Sequence, residues 1–79
     1  MIVTFYGRLG DRLGRQIDVE AAPGCSVGDL RRMIADRFPE AADELLGAVR
    51  ACVADEIVTD AAIVDGRQNI EFFPPVSGG

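Results

Sequence analysis

The sequence predicts an α+β fold in which a small mixed sheet of four to five strands carries one main helix on one face. Two observations lead to this prediction. Short apolar or alternating segments flank one long amphipathic segment, in the order of two strands, a helix and then further strands. In addition, a chain of 79 residues can build one hydrophobic core but not two.

The first two strands are read from alternating side chains. Residues 1–6 predict a strand in which Val3 and Phe5 face the core, while Tyr6 lies on the opposite face. Residues 15–20 alternate in the same way and predict the second strand. The glycine-rich residues 7–14 between them predict a hairpin connection with at most one helical turn.

The clearest helix begins after Ser26, which predicts an N-cap with Asp29 as its capping-box partner. Apolar side chains then recur at steps of three and four residues and predict the buried face of the helix: Val27, Leu30, Ile34 and Phe38. Pro39 is predicted to end the helix because it lacks a backbone N–H.

The second half of the chain predicts a short helix and three more strands. The helix is expected over residues 40–47, and strands over 48–53, 57–58 and 69–73. Cys52 is expected to be a small core residue, and Cys25, beside the start of the main helix, could have a lowered pKa.

Alternation in the last strand separates two kinds of side chain. Ile70 and Phe72 are expected to face the core, which places Glu71 and Phe73 on the other side of the sheet. An exposed aromatic ring next to the end of the chain is a plausible anchor for a partner. We therefore predict that Phe73 takes part in an interface.

A flexible tail is predicted after this strand. Pro74 and Pro75 cannot donate to a sheet and favour an extended chain that leaves the domain. Gly78 and Gly79 have no side chain and could enter a narrow channel. We expect a domain at residues 1–73 and a C-terminal tail at residues 74–79.

The ending Phe72-Phe73-Pro74-Pro75-Val76-Ser77-Gly78-Gly79 resembles that of the MoaD/ThiS family of ubiquitin-like sulfur carriers, and within it the small subunits of molybdopterin synthase. The order of elements likewise resembles the β-grasp, or ubiquitin-like, fold, in which the first and last strands pair in parallel at the centre of the sheet. The resemblance in length and order covers the whole chain, but only the last eight residues form a specific motif.

The resemblance implies a division of roles along the tail. Gly79 would be adenylated and converted to a thiocarboxylate that donates sulfur to precursor Z in molybdopterin synthesis. Gly78 would provide clearance, and Pro74, Pro75 and Val76 would steer the tail into the partner. Ser77 stands where such carriers often have alanine or threonine, a change between small residues.

Partners and cofactors are also implied by the resemblance. The expected partners are the large subunit of molybdopterin synthase, in a heterotetramer, an E1-like adenylyltransferase and a sulfur donor. ATP and magnesium would be used by the activating enzyme, and the chain itself would bind no cofactor. Two alternatives stay open: a sulfur carrier for thiamine, cysteine or tRNA thiolation, and a ubiquitin-like protein modifier.

Composition and charge argue against several classes of function. The formal net charge is −5, all eight basic side chains are arginines, and histidine and lysine are absent. Acidic balance argues against a nucleic-acid partner, and the residues show neither a metal-ligand cluster nor a self-contained active site. We expect a cytoplasmic, non-membrane protein, because no secretory signal or membrane-length apolar run is visible.

Overall fold

The structure is a computed structural model that describes residues 1–75. Five strands and three α-helices follow one another along the chain, with a short 3-10 turn at Pro39–Ala41. In chain order they are β1 (Ile2–Phe5), α1 (Arg8–Leu13), β2 (Gln16–Asp18), α2 (Val27–Arg37), α3 (Ala42–Leu46), β3 (Arg50–Val53), β4 (Glu56–Val58) and β5 (Ile70–Phe73).

The five strands form one mixed sheet in the order β2-β1-β5-β3-β4. The first and last strands pair in parallel at the centre, and every other neighbouring pair is antiparallel. The predicted α+β class and β-grasp arrangement are therefore confirmed, and the five strands fall within the predicted four to five.

Helix α2 begins at the predicted cap. The Asp29 N–H donates to the Ser26 hydroxyl at 3.0 Å, and the Ser26 N–H donates to an Asp29 carboxylate oxygen at 3.2 Å. Two N–H groups that a helix start leaves without partners are thereby satisfied, a feature worth about 1 kcal/mol. Of the predicted apolar face, Val27, Leu30 and Ile34 are fully covered, whereas Phe38, which follows the last residue of the helix, is half-buried.

The core lies between α2 and one face of the sheet. Alternate residues of the central strands enter it: Val3, Phe5, Ile70 and Phe72 are each at most 1% exposed. Burying a side chain of this size contributes about 1.5–3 kcal/mol, so the central strands carry much of the stability. The other sheet face, which we call the open face, is left uncovered by the helices.

Residues 7–14 depart from the hairpin prediction. They contain the six-residue helix α1, although β1 and β2 pair antiparallel as a hairpin would. Leu9 and Leu13 are both buried because their spacing of four residues places them on one side of the helix. Burial of these two leucines is the physical reason that a helix forms here.

The prediction that Cys52 is a core residue was wrong. Cys52 pairs with Glu71 across β3 and β5, while its neighbour Ala51 pairs with Phe72. Because side chains alternate along a strand, the burial of Ala51 turns Cys52 toward the open face. Cys52 was assigned to the core because its neighbours are apolar, but in β3 it alternates with the buried Ala51 and lies on the same face as Arg50.

Candidate functional site at the root of the C-terminal segment

The C-terminal segment leaves the domain from the centre of the sheet. Strand β5 lies between β1 and β3, and the Tyr6 N–H donates to the Phe72 carbonyl oxygen at 3.0 Å at the end of the β1 pairing. Pro74 and Pro75 follow, are exposed and have no N–H with which to continue the ladder. We call the residues from Phe72 to Pro75 the tail root.

The tail root is anchored by Phe72. Its ring is fully buried and stacks on Phe5 with the ring centres 6.0 Å apart and the planes 15° apart. The Arg31 guanidinium carbon lies 5.3 Å from the centre of the Phe72 ring, a distance at which a cation is attracted to an aromatic face. The last inward-facing residue before the prolines is thus held on two sides.

Arg31 connects three elements beneath the tail root. Its Nε donates to Asp60 Oδ1 at 2.8 Å, and its Nη1 donates to the Leu45 carbonyl oxygen at 2.8 Å. It is 8% exposed and is the buried charged residue of the described chain. Sequence reasoning missed it, although it lies four residues after Val27 and three before Ile34 and so shares the apolar face of α2.

The open face has a polar centre formed by β1 and β5. The Tyr6 hydroxyl donates to Glu71 Oε2 at 2.7 Å, and this hydrogen bond to the carboxylate raises the pKa of Tyr6 above its ordinary value. The pair lies in a shallow basin of about 700 Å³ that also includes Thr4 and the turn at Asp55. The hydroxyl therefore stays protonated at neutral pH.

Phe73 lies on the open face as the alternation predicted. Its register partner on β3 is Arg50, and the burial pattern of β5 alternates between inward residues and the half-buried Glu71 and Phe73. The ring is half-buried rather than fully exposed. Its role as an interface residue stays a prediction.

A second concavity lies beside the tail root. This groove, of about 290 Å³, is bordered by Gly7, Leu9, Val49 and Pro74. Its lining is mainly apolar because Leu9 and Val49 reach it from the core. The groove therefore lies directly beside the point where the chain leaves the sheet.

The arginines of the first connection differ in their contacts. Arg12 Nη1 donates to the Glu40 carbonyl oxygen at 2.7 Å, and Arg12 Nε lies 3.2 Å from Glu44 Oε1. Arg12 thus joins α1 to the segment around α3. Arg8 is exposed and borders the groove, which keeps it available to a partner.

The two cysteines are free thiols and lack an activating environment. Burial, followed by the Asp29 charge, raises the pKa of Cys25, so the expectation of a lowered pKa there was wrong. Burial, followed by the Glu71 charge, raises the pKa of Cys52. Both thiols stay protonated near neutral pH, and a protonated thiol is a poor nucleophile.

The predicted reactive end lies outside the described residues. This applies to Val76, Ser77, Gly78 and Gly79, so their roles stay predictions, as does the division into a domain at 1–73 and a tail at 74–79. Of the predicted site residues, the structure brings Phe73, Pro74 and Pro75 together at the tail root.

Residues 1–75 contain no group of three or more histidine, cysteine, aspartate or glutamate side chains arranged to hold a metal ion. No helix within the same range is long and apolar enough to cross a membrane.

Comparison with models of protein families identifies the family of this chain. The model of the ThiS family matches residues 3–79, which include the tail root and both terminal glycines. The chain belongs to the ThiS family. This agrees with the family that the C-terminal motif predicted, while the finer assignment to molybdopterin synthase stays a prediction. A search of curated protein sequences found no match.

Several solved structures have the same fold as this ThiS-family chain. SAMP1 from Haloferax volcanii is 20% identical, with a TM-score of 0.82 over 99% of this chain and 97% of its own. A second structure, of small archaeal modifier protein 1 from H. volcanii, is 17% identical with a TM-score of 0.83 over 95% of each chain. A putative molybdopterin converting factor subunit 1 from Pyrococcus furiosus is 20% identical with a TM-score of 0.81, also over 95% of each.

Proposed function

We propose that this ThiS-family protein is a sulfur carrier that acts as the small, non-catalytic subunit of molybdopterin synthase. Its Gly79 carboxyl would be adenylated, converted to a thiocarboxylate and used to donate sulfur to precursor Z. The observation that carries the proposal is the sequence of the central strand and its extension, in which a proline pair at the tail root is followed by Val-Ser-Gly-Gly.

The chemistry begins with a poor electrophile. An α-carboxyl group has a pKa of about 3.3–3.7, so at neutral pH Gly79 would carry a carboxylate that resists attack by sulfur. Attack of the carboxylate oxygen on the α-phosphate of ATP would release pyrophosphate and form an acyl-adenylate. A sulfur nucleophile from a donor would then replace AMP at the carbonyl carbon and leave a thiocarboxylate.

The chain would contribute delivery rather than catalysis. The body of the domain would dock through the open face around Phe73, while Pro74, Pro75 and Val76 would direct the last residues into the partner. Ser77 is small, and Gly78 and Gly79 have no Cβ, which suits a narrow channel. ATP and magnesium would be bound by the E1-like adenylyltransferase, and the large synthase subunit, in a heterotetramer, would bind precursor Z.

Protein modification is a second candidate, favoured by the similarity to SAMP1 and to small archaeal modifier protein 1. Both functions would use the same activated glycine and would differ only in the nucleophile that replaces AMP, a sulfur in one and an amine in the other. Since the chain has no lysine, it could be joined to lysines of other proteins without forming branched chains of itself. The same activated glycine could also serve thiamine, cysteine or tRNA thiolation, in line with the ThiS match.

A reconstitution experiment separates these candidates. The protein is incubated with the E1-like adenylyltransferase of its own organism, ATP, magnesium and a sulfur donor, and is then supplied to the large synthase subunit with precursor Z. The proposal expects exchange of one oxygen for sulfur at the C-terminus and formation of molybdopterin. A thiocarboxylate without molybdopterin would favour another sulfur pathway, and isopeptide-linked products without a thiocarboxylate would favour the modifier.

A matched control is deletion of Gly79, which is expected to abolish adenylation while the thermal unfolding curve stays unchanged. If the shortened protein still supports molybdopterin synthesis, the terminal glycine is not the carrier group and the proposal fails.

A further inference from the structure

We propose that Gly7 is a positioning residue that seats the Pro74 ring and so sets the direction in which the C-terminal segment leaves the domain. This inference rests on the proposed function, because direction matters only if the segment is delivered to a partner. It assigns a role in that delivery to a glycine in the first connection, 67 positions before the proline it contacts.

The sheet register brings the two residues together. Phe5 pairs with Phe72 across the parallel strands β1 and β5, and the Tyr6 N–H donates to the Phe72 carbonyl oxygen. Two residues beyond this register pair, Gly7 follows β1 and Pro74 follows β5. Because Pro74 has no N–H, no ladder hydrogen bond can fix it there, and packing of its ring takes over that role.

The contact leaves too little room for an unstrained side chain on Gly7. A Cβ built there would lie 3.1 Å from Pro74 Cγ and 3.3 Å from Pro74 Cδ, closer than the 3.4–4 Å of ordinary van der Waals contact. The ring therefore packs directly against the Gly7 backbone. A Cβ at this position would require the ring, and with it the start of the C-terminal segment, to shift by a few tenths of an ångström.

The backbone conformation of Gly7 also favours glycine at this position. Its φ of 67° and ψ of −142° lie close to a region that only glycine occupies without strain. This conformation turns the chain from β1 into α1 beside the tail root. Leu9 and Val49 border the groove next to the Pro74 ring, and Pro74 itself is exposed.

The position of the Pro74 ring sets how the segment begins. Two consecutive prolines restrict the backbone and favour an extended chain, so a displacement of the Pro74 ring changes the direction in which the chain leaves the sheet. Delivery of Gly79 requires that the body dock and the segment enter the active site together. When the Pro74 ring is held against Gly7, the segment enters the active site in a larger fraction of the docked molecules.

Gly14 provides a matched control at the other end of α1. Its φ is also positive, 86°, but a Cβ there would meet nothing within 4 Å. Gly7→Ala and Gly14→Ala therefore introduce comparable backbone strain, and only the first disturbs Pro74. Comparing the two variants separates the contact from the strain.

The main test measures adenylation by the E1-like adenylyltransferase of the same organism, as pyrophosphate release, at a temperature where both variants are folded. Gly7→Ala is expected to lower kcat roughly fivefold with KM for the carrier changed less than about twofold, because docking is intact and delivery is impaired. Gly14→Ala is expected to keep both constants close to those of the wild type. Equal losses in the two variants would overturn the proposal.

A double-mutant cycle tests the contact itself. Pro74→Ala removes the Cγ and Cδ atoms that a Gly7 Cβ would meet, so adding Gly7→Ala to this variant is expected to cause no further loss of kcat. If Gly7→Ala lowers kcat by the same factor with alanine at position 74, the effect does not pass through the Pro74 ring and the inference is wrong.

One measurement is independent of any partner. In the wild-type protein, nuclear Overhauser cross-peaks are expected between the Gly7 Hα protons and the Pro74 ring protons. Their absence would contradict the proposed contact between Gly7 and Pro74. If the wild type is not adenylated at all, the proposed function fails while these cross-peaks still decide whether Gly7 seats Pro74. The two failures are therefore distinguishable.

Discussion

The two faces of the sheet differ in what their side chains do, and β5 shows the difference within four residues. Ile70 and Phe72 are fully buried against the core, whereas Glu71 and Phe73 lie half-buried on the open face. The covered face is apolar and continuous. The open face combines an aromatic ring with the Tyr6–Glu71 hydrogen bond. One strand can thus hold the fold with alternate residues and present a surface with the others.

The largest expected effect is on the covered face. Phe72→Ala removes a fully buried ring that contacts Phe5 and Arg31, and it is expected to lower the free energy of unfolding by about 3–5 kcal/mol. Urea denaturation followed by circular dichroism checks this value. A loss in the free energy of unfolding below about 1 kcal/mol would show that the covered face does not contribute more to stability than the open face.

Replacement of Arg31 should have the next largest effect. Arg31→Met keeps an unbranched apolar stem but leaves the Leu45 carbonyl oxygen without its donor, so we expect a loss of about 2 kcal/mol in the free energy of unfolding. The control Asp60→Asn changes only the exposed partner of the ion pair and is expected to cost less than about 1 kcal/mol. Equal losses would mean that the ion pair, rather than the bond to the carbonyl, holds Arg31.

Phe73→Ala is expected to have a smaller effect on folding than on binding. The half-buried ring lies outside the core, so the free energy of unfolding should fall by less than about 1 kcal/mol. Affinity for the large synthase subunit should fall about tenfold if Phe73 is an interface anchor. Calorimetric titration measures the binding. A large fall in melting temperature with unchanged affinity would assign Phe73 to the fold instead.

The cap of α2 and the open face should titrate at opposite ends of the pH scale. The Ser26 N–H, followed by Arg32, lowers the pKa of Asp29, so its contribution to stability is present above its unfolded pKa and is lost as pH falls through the folded value. Glu71 raises the pKa of Tyr6, so that contribution is present below the unfolded pKa and is lost as pH rises through the folded value.

NMR titration of the folded protein checks both pKa directions. Asp29→Asn is expected to flatten the acid limb of the stability curve, and Tyr6→Phe the alkaline limb. A Tyr6 pKa at or below its ordinary value of 10.0 would show that the hydroxyl does not donate to Glu71 in solution.

Periodicity was sufficient to predict the elements in which buried and exposed positions alternate clearly. The cap at Ser26, most of the buried face of α2 and the inward residues of β5 all follow from spacing in the sequence and were confirmed. Residues 7–14 were harder, because the helix α1 within them has only six residues and the three glycines of the segment argued for a turn. Burial of Leu9 and Leu13 outweighed the low helix propensity of glycine.

The candidate site was only partly predictable. The prolines and glycines of the C-terminal segment were visible in the sequence because they are unusual at the end of a strand. The seat at Gly7 depends on a register between the first and last strands, and the role of Arg31 depends on where α3 packs. Both are set by contacts between residues far apart in the chain, which local patterns do not encode.

The most direct test of the central claim is the mass of the C-terminal peptide from protein isolated under native conditions. The account predicts that a fraction of the peptide ending at Gly79 carries sulfur in place of one carboxyl oxygen, and that this fraction disappears when the E1-like adenylyltransferase is absent from the cells. A peptide that carries only oxygen, in cells where molybdopterin is being made, would contradict it.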